Sequence, residues 1–282
     1  MKIGIFAKTF ARPTSAETLE AVASQGITHV QFNMSCAGRP TLPAVFEPDL
    51  CERIAARFHR HGLTMAAISG TFNMAHPDPA IRRAGIDGLE ILACSCVLLG
   101  TTIVTLCTGT RDPVDMWRPH PENDTAEAWR DLSATLREAL VRTRPYGVTL
   151  AFEPEVANVI DSAPKARRLL DEIGSPRLKI VIDPANLFHD GALPRMAEVL
   201  DEAFACLGPD IVLAHAKDLV ADGEAGHCAA GTGCLDYDHY LRLLRRNGYD
   251  GPLILHALRE DQVPESVAFL IGKLSETRPG AR

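Results

Sequence analysis

The 282-residue chain has no Cys-x-x-Cys pair, no apolar run long enough for a signal peptide or a membrane span, and no block of like charge. Each absence excludes something. Eight cysteines without metal or disulfide spacing are expected to be reduced and mostly buried, as in a cytoplasmic protein, and not to build a structural zinc site. The missing apolar spans argue against export and against a membrane partner. A formal net charge of −7 at pH 7 argues against a nucleic-acid partner, because a phosphate backbone is bound by clustered Lys and Arg. No Gly-x-Gly-x-x-Gly follows the first apolar run, so a doubly wound dinucleotide-binding sheet lacks its phosphate loop. What remains is ordinary globular composition, 46% apolar and 23% charged, sufficient for a large core.

Four short apolar runs dominate the second half, and each ends in a group able to hold a metal. They are Val148-Thr149-Leu150-Ala151-Phe152-Glu153, Leu178-Lys179-Ile180-Val181-Ile182-Asp183, Ile211-Val212-Leu213-Ala214-His215 and Pro252-Leu253-Ile254-Leu255-His256. Each is followed by a longer amphipathic segment, the pattern of a buried parallel strand and its helix. Four similar units precede them. Strands are expected at Lys2 to Phe10, Ile27 to Phe32, Leu63 to Ser69 and Thr101 to Leu106, with helices such as Pro48 to His61 closed by Gly62. Asp124 is the expected cap of the helix after the fourth strand. Eight units without a composition break predict a single (β/α)₈ TIM barrel over 1–282, with a flexible tail over 275–282.

In such a barrel the active site lies at the C-terminal ends of the strands. Glu153, Asp183, His215 and His256 hold that position on strands five to eight. Any one alone could be a turn residue or a satisfied core group. Four on consecutive strands make a mixed oxygen and nitrogen set suited to one divalent ion, Mn²⁺ first, with Mg²⁺, Co²⁺, Zn²⁺ or Fe²⁺ as alternatives. Around them stand candidate substrate contacts: Asn73 at the end of strand three, Glu155, Asn158, Asn186, His189 and Lys217. Lys217 points the same way as His215 on an extended chain; a rim pair with Asp218 is its bland alternative. Trp117, Arg118 and His120 lie in a long loop able to act as a lid.

These residues resemble the sugar phosphate isomerase/epimerase superfamily, the xylose isomerase-like TIM barrels, over nearly the whole chain. The resemblance is carried by Phe152-Glu153-Pro154-Glu155, Ile182-Asp183-Pro184-Ala185-Asn186, His215-Ala216-Lys217-Asp218, Gly231-Thr232-Gly233-Cys234-Leu235-Asp236 and Asn247-Gly248-Tyr249-Asp250-Gly251-Pro252. It implies a divalent ion held by Glu, Asp, His and Glu from strands five to eight, the two glutamates also moving the proton. Glu153, Asp183 and His215 match; His256 stands where the family usually has the second glutamate. Histidine still binds metal and, with an ordinary pKa near ~6.5, still moves a proton. Glu260, four residues on, lies ~13 Å away along an extended chain.

The chemistry that uses these residues is proton transfer beside a carbonyl. Glu153 removes the carbon-bound proton of a ketose or related polyol ketone, the metal stabilises the enediolate, and His256 or a water returns the proton. The expectation is therefore a cytoplasmic sugar isomerase or epimerase with a small-molecule substrate and room for a homo-oligomer. An inosose-dehydratase-like lyase begins with the same abstraction and is the runner-up. A phosphodiesterase of the endonuclease IV branch would need more ligands than the early strands offer, ending as they do near Lys8, Asn33 and Asn73. The non-enzyme alternative is a sugar-binding barrel that lost its second base.

Overall fold

The alternation of apolar runs and amphipathic segments closes into a ring. In the computed structural model, which describes residues 1–276, the strands are β1 (Lys2–Phe6), β2 (His29–Phe32), β3 (Thr64–Ser69), β4 (Ile103–Cys107), β5 (Thr149–Glu153), β6 (Leu178–Ile182), β7 (Ile211–Asp218), a two-residue β8 (Cys228–Ala229) and β9 (Pro252–Leu255). Between and after them run α1 (Ser15–Ser24), α2 (Pro48–Arg60), α3 (Pro79–Leu99), α4 (Ala126–Thr143), α5 (Ala163–Ile173), α6 (Met196–Leu207), α7 (Tyr237–Arg246) and α8 (Val263–Glu276). Every strand but β8 pairs in parallel with two neighbours, and β1 against β9 closes the ring, from Lys2↔Pro252 to Ile5↔Leu255. This is a single TIM barrel. The tail expected over 275–282 lies outside the described residues, except that Ser275 and Glu276 end α8. No helix among the described residues is long and apolar enough to cross a membrane.

Side chains alternate across each strand, so one set faces the barrel axis and the other the helices. The outward set, including Leu150, Phe152, Ile180 and Ile182, packs with helix residues such as Leu136, Leu169 and Phe204 in the main core. The inward set is smaller. Ala67, Ala151, Val181, Leu213 and Ile254 form a separate buried apolar plug on the axis. A residue two positions further on from each of the last four is Glu153, Asp183, His215 and His256. The polar layer therefore sits directly above the plug. Gly4 makes the plug possible: a Cβ there would lie 2.6 Å from Ile254 Cδ1.

Three local expectations are corrected. The first strand stops at Phe6, because Ala7–Thr9 turn in a 3₁₀ helix that brings Phe10 N–H to Ala7 O at 3.1 Å and buries the Phe10 ring. Thr125, not Asp124, caps α4 by accepting from Ala128 N–H; Asp124 instead pairs with Lys165. The seventh strand runs past His215 to Asp218, held straight by β8, which pairs Lys217↔Ala229 and Asp218↔Cys228. Asp218 faces outward there and accepts from Leu219, Leu235 and Gly231 N–H, tying down the loop that follows.

Candidate functional site

The barrel brings Glu153, Asp183, His215, Lys217 and His256 together at the C-terminal end of the ring. Asp183 is fully buried, and its Oδ2 is the point on which three nitrogen groups converge. His215 Nδ1 lies 3.3 Å away, Lys217 Nζ 3.2 Å and His256 Nδ1 3.9 Å. Its Oδ1 accepts from Ala185 N–H at 3.1 Å, so the 3₁₀ turn Pro184–Asn186 fixes the carboxylate. Glu153 Oε2 is 3.5 Å from His215 Nδ1, and Glu153 Oε1 accepts from Asn186 Nδ2. Asn186 Oδ1 in turn accepts from Lys217 Nζ. Lys217 thus pairs with Asp183 and not with Asp218.

Gln31, on β2, does what no reading of the strand ends foresaw. Its Oε1 lies 2.9 Å from His215 Nε2, and its Nε2 donates to Ser69 Oγ and Thr105 Oγ1. With Nδ1 presented to the two carboxylates, Nε2 is the nitrogen that donates to Gln31 Oε1, and this orientation leaves the amide Nε2 to donate to the two hydroxyls, which can accept. The signal was there: a glutamine between Val30 and Phe32 in a barrel strand is a polar group facing the axis.

Protonation follows from this arrangement. Burial opposes the charge on Asp183, but Lys217 and the two imidazoles outweigh it and hold the carboxyl well below its usual range. Burial alone would lower His215, yet Glu153 and Asp183 push it up to about 9. His256 is lowered, first by burial. Burial and the nearby Glu153 raise Glu155 to about 7, against the pull of Lys217. In the metal-free protein the raised His215 stabilises the fold fully below its unfolded pKa of ~6.5, and that contribution is lost as pH climbs through about 9. A metal taken up through Nδ1 must displace this proton. Titrating metal into metal-free protein at pH 7.5, in buffers of different ionisation enthalpy, is expected to show release of about one proton from His215. Release unchanged in His215→Gln would contradict the assignment.

The donor set fits a divalent ion. Ligand atoms of Asp183, His215 and His256 lie within 4.8 Å of one another. His256 Nδ1 is buried with no hydrogen-bond partner, an orphaned nitrogen that a metal would satisfy. Two carboxylates and two imidazoles make a mixed hard and borderline set. Just beyond His256, Ala257 takes a positive φ of 53°, the one such non-glycine among the described residues, and turns the chain at the cavity wall.

Above this cluster opens a cavity of about 770 Å³. Glu153, Glu155, Asn186, His215, Lys217 and His256 line it, as do Met116, Trp117 and Pro119 from the loop after β4. Trp117 is half exposed at the mouth, Arg118 pairs with Asp112, and His120 caps a 3₁₀ turn by accepting from Glu122 N–H. Three expected contacts do not reach the cavity. Asn158 is buried with Oδ1 accepting from Gly109 N–H, and His189 is exposed beside Asp161. Glu260 pairs with Arg12 at the exposed rim and offers no substitute ligand.

Asn73 is the third. Its Oδ1 accepts from Ala75 and Thr110 N–H and its Nδ2 donates to Asp112 O, a clasp between the loops after β3 and β4. Asn73→Ala would leave buried backbone donors unpaired and is expected to cost about 2–4 kcal/mol of stability. Denaturant unfolding checks this; unchanged stability with lost substrate affinity would restore the substrate-contact role.

Comparison with known proteins agrees with the fold. The family model described as xylose isomerase-like TIM barrel matches residues 19–273. A ketose 3-epimerase from Arthrobacter globiformis is 24% identical over 218 residues, covering 75% of this chain and 70% of the relative. Among solved structures, a D-tagatose 3-epimerase-like protein superposes with a TM-score of 0.78 at 16% identity, covering 98% of both chains. An IOLI protein with a binding zinc atom superposes with a TM-score of 0.75 at 17% identity, covering 99% of both. At such identities the two structures establish a shared fold.

Proposed function

The chain belongs to the xylose isomerase-like TIM barrel family, and from that membership we propose that it is a divalent-metal-dependent sugar epimerase or isomerase working by proton transfer beside a carbonyl. The observation that carries this reading is the cluster of Asp183, His215 and His256, with Glu153 Oε2 3.5 Å from His215 Nδ1, at the floor of an open cavity. The similarity to a ketose 3-epimerase supports the substrate class, a ketose or related polyol ketone. Mn²⁺ is the proposed ion, with Mg²⁺, Co²⁺ or Zn²⁺ as alternatives.

Glu153, Asp183, His215 and His256 would hold the ion. When bound it supplies a Lewis acid for the carbonyl and neighbouring hydroxyl oxygens and takes up negative charge as the carbon is deprotonated. The chain's own groups do the rest. Glu153 takes the proton from carbon; Asn186 holds its Oε1 while the carboxylate stays turned to the cavity. Lys217, already bound to Asn186 and Asp183, places a fixed positive charge where a substrate oxygen gains negative charge. His256, lowered by burial and therefore neutral near pH 7, has no acidic proton of its own to give and would instead orient the water that returns a proton to carbon.

One observation favours a lyase as the second reading. Glu155 faces the cavity, is 7% exposed, makes no side-chain hydrogen bond among the described residues, and is raised to about 7. A carboxylic acid there could protonate a departing hydroxide, the step that separates dehydration from epimerisation.

The test is deuterium uptake from D₂O into a panel of ketoses and inososes, with protein stripped of metal and then reloaded. Metal-dependent exchange beside the carbonyl is expected, and product analysis then separates epimer, isomer and dehydrated product. No exchange across the panel at full metal loading would reject the reading in favour of a binding protein.

A further inference from the structure

The cavity wall on the β1–β2 side carries two hydrogen-bond donors that the proposed carbonyl chemistry does not use. Lys8, in the turn after β1, is exposed and lines the cavity. It forms no ion pair among the described residues, whereas Lys217, the other lysine lining the cavity, is committed to Asp183 and Asn186. No arginine lines the cavity, and neither Glu155 nor Glu224, which do, pairs with Lys8. Asn33, only 2% exposed yet part of the same wall, caps the 3₁₀ turn that packs against the turn carrying Lys8. Its Oδ1 accepts from Ser35 N–H at 2.9 Å and from Thr41 Oγ1 at 3.2 Å, which fixes the amide's orientation. The Nδ2 therefore faces the other way, with no hydrogen bond among the described residues. A nearly buried amide donor left open on the same wall as an unpaired ammonium is a corner built for an acceptor.

Phe6 sets where this corner lies relative to the metal ligands. Lys8 Nζ sits 5.8 Å from the Phe6 ring centroid, and the same ring lies 5.3 Å from the His256 ring. A substrate held by its carbonyl end at Glu153 and His256 must run past Phe6 to reach the corner, which a sugar chain is long enough to do. From this geometry we propose that the substrate is a sugar acid, a keto sugar whose carboxylate at the far end is bound by Lys8 Nζ and Asn33 Nδ2. Two donors, one charged and one neutral, match the two oxygens of a planar carboxylate. A phosphate dianion, with three terminal oxygens, asks for more donors than this corner presents. The inference rests on the carbonyl chemistry proposed for the other end of the cavity and adds a second point of attachment to it.

The test compares a ketohexose, its terminal carboxylic acid and its terminal phosphate ester as substrates for deuterium exchange by the metal-loaded protein. The acid is expected to exceed the neutral ketose in kcat/KM by about 10–100-fold, the worth of a charge-assisted hydrogen bond. Lys8→Met should collapse that ratio through KM, Lys8→Arg should keep most of it, and Asn33→Asp, which retains Oδ1 but puts a negative charge in the corner, should invert it. A neutral ketose turned over as well as the acid, or a ratio indifferent to Lys8→Met, would overturn the proposal. Preference for the phosphate ester would overturn the carboxylate assignment.

If none of the compounds exchanges, the carbonyl reading has failed, and calorimetry judges the corner alone. Tighter binding of an aldonate than of the matching alditol, lost in Lys8→Met, then supports the subsite; equal binding refutes it.

Discussion

Glu153→Gln is expected to lower metal-dependent deuterium exchange by about 10³-fold, within the ~10²–10⁴-fold that a positioned base contributes. The substitution is nearly isosteric. Its amide oxygen can still accept from Asn186 Nδ2, which Glu153 Oε1 does now, so the wall of the cavity keeps its shape. What disappears is the carboxylate able to take a proton from carbon, and one negative charge 3.5 Å from His215 Nδ1. Metal binding should weaken without vanishing, since Asp183, His215 and His256 remain clustered. Exchange must therefore be measured at confirmed metal loading. A reloaded variant that exchanges within tenfold of the parent would remove Glu153 from the role of base and leave it a ligand.

Asp183→Asn tests the other half of the site, and its largest effects fall on metal and stability. The fully buried Oδ2 faces Lys217 at 3.2 Å and His215 at 3.3 Å, and an amide there cannot neutralise either. Breaking a buried charge pair by removing one partner typically costs ~3–5 kcal/mol. Because Asn can still accept from Ala185 N–H through Oδ1, the expected loss is at the lower end, about 3 kcal/mol. His215 should also fall from about 9 as one of its two carboxylates goes.

The pH dependence has a definite sign. Asp183 is depressed in the fold, so its stabilisation is present above its unfolded pKa and is lost as acid carries pH down through the folded value. The variant should have a shallower acid limb in urea unfolding than the parent. Metal affinity should drop by at least about 100-fold, more than the loss of an outer partner costs. Parent-like stability together with parent-like metal affinity would show that Asp183 does not organise the cluster.

Much of this site was legible because its rules are local. Glu153, Asp183 and His256 each follow an apolar run whose inward residues are Ala151, Val181 and Ile254, and alternation along a strand carries the same face forward. Lys217 came with His215 by the same step of two. The substitution of histidine for the family's usual glutamate was visible at His256 without any coordinates, and its buried, orphaned Nδ1 is consistent with a ligand role. Gln31 was not found, because its partner His215 is 184 residues away across the barrel. Within its own strand it looked like a single polar interruption.

Asn73 shows the opposite error. A polar residue at a strand end was expected to face substrate, and a loop from the next unit claimed its amide instead. Gly109, at φ 74°, approaches Asn73 so closely that a Cβ there would lie 2.2 Å from Oδ1. Nothing in the local pattern of either segment announces that meeting. Asn158, which receives the same glycine's N–H from the loop after β5, was misjudged for the same reason.

By itself, the sequence determined the class of fold and the chemical types gathered at its C-terminal face. Helical and strand periodicities are set by a few neighbouring residues, and eight repeats of them leave little but a closed barrel. Tertiary structure alone decided which polar groups cluster at the cavity floor, which clasp loops together and which stay open donors. Those roles depend on which loop or strand lies across from a side chain, and ring closure makes neighbours of residues that no local rule connects. Lys8 and Asn33 remain open because no loop or carboxylate among the described residues closes over their donors.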